Sequence, residues 1–226
     1  MNEPVKETVC MGKQNQAQIA YNSILRDIQE NQLTQGQPII EEEYARKLEM
    51  SRTPVREAIR ILSVEGFVTV YPRKGAYVSV LTAQDVNDCY EMMEAVEGMI
   101  AYLAAQQPSE EHIHLLKELI ISMNEQKSLS NFHKWKEYDI QFHRTLHLMC
   151  ANKLLTYHVE KLFHKTYQIQ TQFVSGVNLE KATLEHQAIV DSIIQRDSEQ
   201  ARHYTQQNWS RARHELVNYG YGDKPL

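Results

Sequence analysis

Residues 41–67 read EEEYARKLEMSRTPVREAIRILSVEGF. Apolar residues recur at three- and four-residue spacings from Tyr44 to Leu48, which predicts one face of a short helix. The sequence MSRT then interrupts the pattern, and Ser51 or Thr53 is placed to cap a second helix. This segment therefore predicts two short helices joined by a tight turn.

The second helix carries a row of arginines. Pro54 falls in its first turn, where a proline costs little because that N–H has no partner within the helix. Arg52, Arg56 and Arg60 recur every four residues and so share one face. Arginines at the start of a packed helix suit the DNA major groove, where they read guanine or clamp phosphate. Taken alone, the row also fits an ordinary solvated basic face.

The segment after this helix predicts a β-hairpin with a basic tip. Residues 67–80 read FVTVYPRKGAYVSV, two β-rich runs on either side of PRKG. Helix, turn, basic helix and hairpin, in that order, are typical of a winged helix-turn-helix. In that fold the second helix enters the major groove and the wing follows the backbone or minor groove. The order favours DNA binding, and it places Arg73 and Lys74 on the DNA backbone.

These residues resemble a known family. The pattern comprises SRTPVREA at 51–58, the pair Glu65-Gly66 and the glycine at 75. It resembles the GntR family of bacterial transcription regulators, and specifically its FadR-like branch. The resemblance implies that Arg52, Thr53 and Arg56 contact DNA and that Gly75 lets the wing backbone approach the minor groove. One difference is the acidic run at 41–43, where some members carry a basic residue, so no DNA contact is expected from it.

The overall charge is distributed unevenly. The net charge of −5 argues at first against a nucleic-acid partner. Between residues 44 and 80, however, seven Lys and Arg face three Glu, which gives that segment a charge of +4. The distribution of charge matters more than its sum for DNA binding. The acidity lies elsewhere in the chain, as expected if one surface alone meets DNA.

The cysteines and the hydropathy pattern indicate a cytoplasmic protein. Cys10, Cys89 and Cys150 are far apart and form no CxxC pair, which suits reduced thiols rather than a disulfide framework. The N-terminal residues have no apolar core of the kind found in a signal peptide. No window approaches the length of a membrane span, so no membrane partner is expected.

The chain predicts a mainly α protein with two domains. Residues 1–15 are polar and are expected as a loose N-terminal tail, and 16–81 form the winged helix-turn-helix domain. Residues 82–222 show no β pattern and predict an all-α antiparallel bundle of six helices, which opens with a capping box at Thr82 and Asp85. This second part resembles the effector-binding and dimerisation domain of the FadR-like branch, known as the FCD domain.

A candidate metal site lies within the bundle sequence. Asp139 and His143 stand one helical turn apart in YDIQFHRTLH, so their side chains project in one direction and can share a divalent ion. His186, in EHQAI, lies on a later helix between inward-facing apolar residues. Taken alone, an Asp–His pair of this spacing is also common as a simple hydrogen bond or a surface salt bridge.

The metal assignment rests on a resemblance as well. The patterns around Asp139, His143 and His186 resemble the metal-binding version of the FCD domain, in which an aspartate and three histidines line a cavity. The position that matches the last histidine is Asn208, whose amide oxygen is a harder and weaker ligand. His147 is an alternative ligand on the same helix face as His143. The expected ion is zinc, nickel, manganese or iron, and the open alternative is a metal-free polar cluster that binds an effector or water.

The combined patterns predict a ligand-responsive transcription regulator. Two winged domains in a homodimer would read the half-sites of a palindromic double-stranded DNA operator. A small metabolite, expected to be an organic acid with a carboxylate, would bind beside the metal. A rival interpretation is a helical metalloenzyme with a nucleic-acid-binding appendage, using Asp139, His143 and His186. A third is a structural chromosome-binding protein, which predicts a bundle without a polar cavity.

Overall fold

The computed structural model describes residues 7–172 and 177–221, and side chains within them except those of 7–15, 129, 172, 220 and 221. The chain divides between Leu81 and Thr82 into two compact units. The turn expected at Ser175 and Gly176 and the expected domain end at 222 lie outside the described residues.

The first unit is a helical domain with a small sheet. Its elements are α1 Glu7–Gln29, β1 Pro38–Ile39, α2 Glu41–Lys47, α3 Arg52–Val64, β2 Val68–Tyr71 and β3 Gly75–Val78. The core packs α1 against α3 through apolar residues that include Ile24, Ile28, Val55 and Leu62, none of them exposed. The fold is the expected winged helix-turn-helix, with α2 and α3 joined by the turn at 48–51.

The wing is a three-stranded antiparallel sheet in the order β1-β3-β2. Tyr71 pairs with Gly75 across the hairpin, which leaves Pro72, Arg73 and Lys74 as its loop. Arg73 and Gly75 both have positive φ, 64° and 104°, and close the loop. The sequence does not predict β1, because the residues before Glu41 have the pattern of a turn; the two residues of β1 gain order by pairing with β3.

Two local expectations differ from the structure. The stretch 1–15 is expected from its composition as a loose tail, but α1 begins at Glu7. Residues 7–15 contain no proline and include the good helix formers Glu7, Met11, Lys13 and Gln14, so the helix can extend beyond its amphipathic stripe. Ser51 does occupy the position before α3, with extended φ and ψ, but its side chain makes no cap hydrogen bond within the described part of the chain.

The second unit contains six long helices among the described residues. They are α4 Ala83–Gln106, α5 Glu110–Glu125, α6 Phe132–Met149, α7 Lys153–Gln172, α8 Leu179–Ile194 and α9 Ser198–Tyr221, with a single 3-10 turn at Leu129–Asn131. α4 packs mainly against α9, and α8 also lies against α9. The expected capping box opens α4, since Asp85 N donates to Thr82 Oγ1 and Thr82 N donates to Asp85 Oδ2. In the described part of the chain, every helix is too short or too polar to cross a membrane.

Candidate functional sites

The exposed face of α3 carries the basic row. Val55 and Leu62 are buried on the opposite side, because the apolar residues of this amphipathic helix recur at helical spacing. Arg52, Thr53 and Arg56 are all exposed. The structure therefore places the three predicted DNA-contacting residues at the solvent-facing start of one helix.

Both leading arginines form ion pairs with α2. Arg52 Nη2 lies 2.7 Å from Glu42 Oε2, and Arg56 Nε lies 2.7 Å from Glu41 Oε2. Sequence reasoning noted the acidic run only as a difference from the family pattern and did not foresee these pairs. The contact depends on how α2 and α3 cross, which helical periodicity within each element does not specify.

The wing tip presents the remaining predicted DNA residues. Arg73 and Lys74 are exposed in the hairpin loop, and Gly75 follows them at the first position of β3. A Cβ placed on Gly75 would meet no atom within 4 Å, so its φ of 104° is the reason for glycine there. The Lys74 carbonyl accepts a hydrogen bond from Tyr77 Oη over 3.2 Å, which ties the loop to β3.

The second unit contains a buried cluster of Asp139, His143 and His186. Two come from α6 and one from α8, with exposures of 4%, 2% and 1%. One ligand atom from each lies within 4.8 Å of the other two. Asp139 Oδ1 is 3.4 Å from His186 Nε2 and 3.8 Å from His143 Nε2. The structure thus brings together three of the four predicted metal ligands.

These separations fit a shared ion better than direct hydrogen bonds. Ligand atoms bound tetrahedrally at about 2.1 Å lie about 3.4 Å apart, which is close to the observed spacing. Within the described side chains, neither ring nitrogen of His186 has a hydrogen-bond partner. Burying such a group without a partner is costly, so the site is suited to a ligand on that imidazole.

Glu97 supports the cluster from α4. It is fully buried, and its carboxylate lies 3.2 Å from His143 Nδ1 and 2.6 Å from His147 Nε2. A metal-binding histidine typically donates its second ring N–H to a carboxylate, which fixes the tautomer and leaves the other nitrogen to bind. Glu97 occupies this position relative to His143. It also engages His147, so that histidine faces Glu97 and is not one of the three clustered residues.

Sequence reasoning missed Glu97 although a signal was present. The apolar periodicity of this helix predicts a buried face with Met93, Val96 and Ile100, and Glu97 lies four residues after Met93 and three before Ile100. Val96, which the periodicity places on that face, is only half-buried. An acidic residue in an apolar stripe marks a buried charge that needs partners.

Lys136 is a second residue that sequence reasoning missed. Its side chain is 2% exposed and its Nζ lies 2.5 Å from Asp139 Oδ2. The two oxygens of Asp139 therefore have different surroundings, with Oδ2 facing the ammonium and Oδ1 facing the two imidazoles. Lys136 precedes Asp139 by three residues on α6, which puts both on one helix face.

The charges around the cluster displace its pKa values. Burial opposes ionisation of Asp139, but Lys136 and the imidazoles of His143 and His186 outweigh it and lower the pKa to about 2. Burial likewise opposes ionisation of Glu97, and His147 and His143 lower its pKa to about 2. Burial lowers the pKa of His186 to about 3 despite the attraction of Asp139. At neutral pH both carboxylates are ionised and His186 is neutral, the form in which imidazole binds metals.

Asn208 is buried on α9 and faces Glu185. Its Nδ2 donates to Glu185 Oε2 over 2.7 Å, and Arg211 Nε donates to both oxygens of the same carboxylate. The amide is therefore held by its nitrogen, which leaves Oδ1 as the atom that could serve as a ligand. Glu185, next in sequence to His186, also lines an open groove of about 410 Å³ on the second unit. Its other lining residues are Glu94, Lys181, His203, Gln206, Gln207, Ser210 and Arg211.

Aromatic rings surround the cluster. The ring of Phe142 lies 4.4 Å from that of His186, and the rings of Phe163 and Trp209 lie 5.4 and 5.3 Å from that of His143. Such an apolar shell limits access of water and strengthens electrostatic interactions within it.

A winged helix-turn-helix followed by a helical domain with a buried polar cluster defines a class, the DNA-binding transcription regulators with a separate second domain. Two family matches make this specific: the bacterial regulatory proteins of the gntR family match residues 16–78, and the FCD domain matches residues 88–210. The chain belongs to the GntR family of transcriptional regulators and carries an FCD domain.

Similar proteins agree with this assignment. An uncharacterised HTH-type transcriptional regulator from the TAR-I ttuE-ttuC' intergenic region of Agrobacterium vitis is 34% identical over 58% of this chain and 78% of its own length. The Nta operon transcriptional regulator of Aminobacter aminovorans is 34% identical over 53% of this chain and 57% of its own length. The solved structure of E. coli McbR/YncC shares the fold, with a TM-score of 0.77 at 17% identity, over 89% of this chain and 96% of that one.

The family decides between the interpretations left open by the sequence. GntR proteins and the relatives above are regulators and not enzymes, so the metalloenzyme interpretation is wrong. The interpretation as a structural chromosome-binding protein predicts a bundle without a polar cavity. The burial of Asp139, His143 and His186 together counts against that interpretation.

Proposed function

We propose that this regulator is a cytoplasmic homodimer that binds a palindromic operator and responds to a small organic acid held beside a divalent metal ion in the FCD domain. The observation that carries the proposal is the buried set Asp139, His143 and His186, whose ligand atoms lie within 4.8 Å of one another. The imidazole of His186 is buried without a hydrogen bond to any described side chain, and a bound ion would compensate for that missing partner.

The fourth ligand in this proposal is Asn208. Its amide nitrogen is bonded to Glu185, which is itself held by Arg211, so the side chain has a defined orientation. A site of two imidazoles, one carboxylate and one amide oxygen is harder than one with three imidazoles. Manganese or iron therefore suits this chain better than it suits a three-histidine site, while zinc and nickel remain compatible with the two histidines.

The charge of the cluster favours an anionic effector. Glu97 and Asp139 are two buried carboxylates, and Lys136 is one buried ammonium. With the imidazoles neutral, a divalent ion would leave this buried group with one excess positive charge, which a single carboxylate of an effector would neutralise. Buried charges are costly unless paired, so an organic acid stabilises the loaded site. The groove beside Glu185 and Arg211 is the proposed entry on the second unit.

The effector would act through linkage. It can change DNA affinity only as far as it binds one arrangement of the two domains better than another. The DNA contacts in the proposal are Arg52, Thr53 and Arg56 in the major groove. Arg73, Lys74 and Gly75 would lie along the backbone and minor groove.

Metal content of the purified protein tests the site. Wild type, His143→Ala and the control His158→Ala would be stripped with chelator, reloaded separately with manganese, iron, nickel and zinc, and analysed by elemental mass spectrometry. His158 is an exposed histidine of the same domain. About one ion per chain in wild type and His158→Ala, lost in His143→Ala, is the expected result. If wild type binds none of the four metals, the proposed metal site is overturned. The cluster would then be a hydrogen-bonding pocket.

A further inference from the structure

Two ion pairs join α2 to α3, the helix that is proposed to enter the major groove. Glu42 holds Arg52 and Glu41 holds Arg56, each over 2.7 Å. Both glutamates lie in the first turn of α2, and the arginines stand one turn apart on α3. The carboxylates therefore occupy the space beside the two guanidiniums that are proposed to meet DNA.

These pairs remain open to solvent. The side chains of Arg52 and Arg56 are 50% and 64% exposed, and Glu42 is 63% exposed. DNA can therefore reach both arginines, but it must displace the carboxylates or share the guanidiniums with them. DNA and a glutamate can share one guanidinium because the group has five N–H donors and each ion pair involves one of its nitrogens.

A phosphate and a base edge differ as partners in this arrangement. A phosphate is an anion, so it repels a carboxylate that holds the same guanidinium. The O6 and N7 acceptors of guanine carry no net charge and can share the guanidinium with a carboxylate at lower cost. The ion pair also holds the guanidinium in one orientation. This reduces the side-chain entropy that is lost when the guanidinium forms two hydrogen bonds to a base.

We propose that Glu41 and Glu42 are specificity-determining residues, which weaken phosphate binding by Arg52 and Arg56 more than they weaken base reading. The proposal rests on the proposed DNA contacts of those arginines. It accounts for an acidic run at the start of α2, beside the basic face, in a domain that binds a polyanion. Its consequence is a higher ratio of specific to non-specific affinity, since non-specific binding depends almost entirely on phosphate contacts.

Acidic residues at a helix N-terminus also stabilise the helix itself. A variant of Glu43 can distinguish this helix-stabilising role from the proposed role in DNA specificity. It lies in the same first turn, is exposed, and forms no ion pair with either arginine within the described part of the chain. Glu43→Gln therefore removes the same charge from the same turn without releasing an arginine.

The test compares Glu41→Gln, Glu42→Gln and Glu43→Gln on two duplexes of equal length. One is the sequence that the wild-type protein selects from a randomised pool, and the other is a random-sequence duplex. Affinities are measured by fluorescence anisotropy at several salt concentrations. We expect the first two variants to bind the random duplex about 1.4-fold to fivefold more tightly, the range set by an exposed ion pair, and the selected duplex with a smaller gain. The gain should shrink as salt rises.

Four results would overturn the proposal. Equal gains in affinity for both duplexes, or the same gains in Glu43→Gln, would mean that the effect comes only from the change in net charge. A loss on the selected duplex alone would make the glutamates direct base contacts. No change on either duplex would remove them from DNA binding.

Combining Glu42→Gln with Arg52→Ala keeps this inference separate from the proposed contacts. The effect of Glu42→Gln should vanish in an Arg52→Ala background, because the guanidinium it releases is gone. If Arg52→Ala alone leaves both affinities unchanged, the proposed contact itself fails. If Arg52→Ala weakens binding but Glu42→Gln does nothing, only the role of the glutamate fails.

Discussion

The ammonium of Lys136 lies 2.5 Å from Oδ2 of Asp139, and both side chains are almost completely buried inside the FCD domain. The pair gives Asp139 a permanent cationic partner on one oxygen. Its other oxygen is left facing His143 and His186. A cation supplied by the chain and a proposed metal ion would thus act on opposite sides of one carboxylate.

Lys136→Met should destabilise the metal-free protein and increase its response to metal. Removing one partner of a buried ion pair leaves an uncompensated charge and costs about 3–5 kcal/mol. A divalent ion would then become the main partner of Asp139 and recover much of that loss. Thermal unfolding with chelator and with added metal measures both effects, with Lys134→Met, an exposed lysine of the same helix, as the control. An equal metal-induced rise in Tm for Lys136→Met and wild type would contradict this account.

Glu97→Gln should weaken metal binding without abolishing it. The glutamine amide that replaces the carboxylate could still contact His143, but it would no longer favour the same tautomer with a full negative charge. Loss of such supporting partners typically reduces metal affinity about 10–100-fold. Competition with a chromophoric chelator gives the affinity, and Glu94→Gln, a partly exposed glutamate on the same helix, is the control. Unchanged affinity would restrict Glu97 to a role in packing.

Asn208→His should raise zinc affinity about tenfold or more, because imidazole is a better zinc ligand than an amide oxygen. Asn208→Ala should lower the affinity for every ion. The adjacent exposed residue provides the control variant Gln207→His, which adds an imidazole outside the cluster. Isothermal titration of stripped protein gives the affinities. If Asn208→Ala binds metal as tightly as wild type, Asn208 is not a ligand.

The stability of the stripped protein should fall with pH below about 6.5. The pKa of His186 is lowered from 6.5 to about 3 in the folded protein, so between these values the unfolded chain binds the extra proton and is favoured. The pKa values of Asp139 and Glu97 are lowered to about 2, so their contribution is present above their ordinary values and is lost as pH falls toward 2.

His186→Gln isolates the first part of this profile. Tm measured from pH 7 to 4.5 in chelator should fall in wild type and change less in the variant, because glutamine does not titrate. Below pH 4.5 both proteins should lose stability through the carboxylates. A wild-type Tm that is flat from pH 6.5 to 4.5 would contradict the lowered pKa of His186.

Arg52→Ala should reduce affinity for the selected operator more than affinity for random duplex. A base contact of this kind is worth about 1–3 kcal/mol and affects one position of the site. Lys74→Ala should instead weaken both duplexes about equally and reduce the salt dependence of binding. Equal losses for Arg52→Ala on both duplexes would make Arg52 a phosphate contact.

Local patterns in the sequence predicted most of the winged helix-turn-helix domain, with the exception of β1. The positions of α2, α3 and the hairpin follow from apolar periodicity, the break at MSRT and the loop at PRKG, all of which act within a few residues. The start of α1 at Glu7 was not predicted, because the first residues of this helix lack the amphipathic pattern that marks a helix in the sequence.

The buried cluster depended on tertiary structure to a larger degree. The sequence by itself determined that Asp139 and His143 share a helix face, because that relation is local, and the family resemblance added His186 and Asn208. Only the packing of α4 against α6 brought Glu97, 46 residues away in sequence, to His143, and only burial of α6 turned Lys136 into a partner of Asp139. The ion pairs of Glu41 and Glu42 with α3 are of the same kind. Side-chain contacts between elements depend on crossing geometry, which the periodicity of each element does not contain.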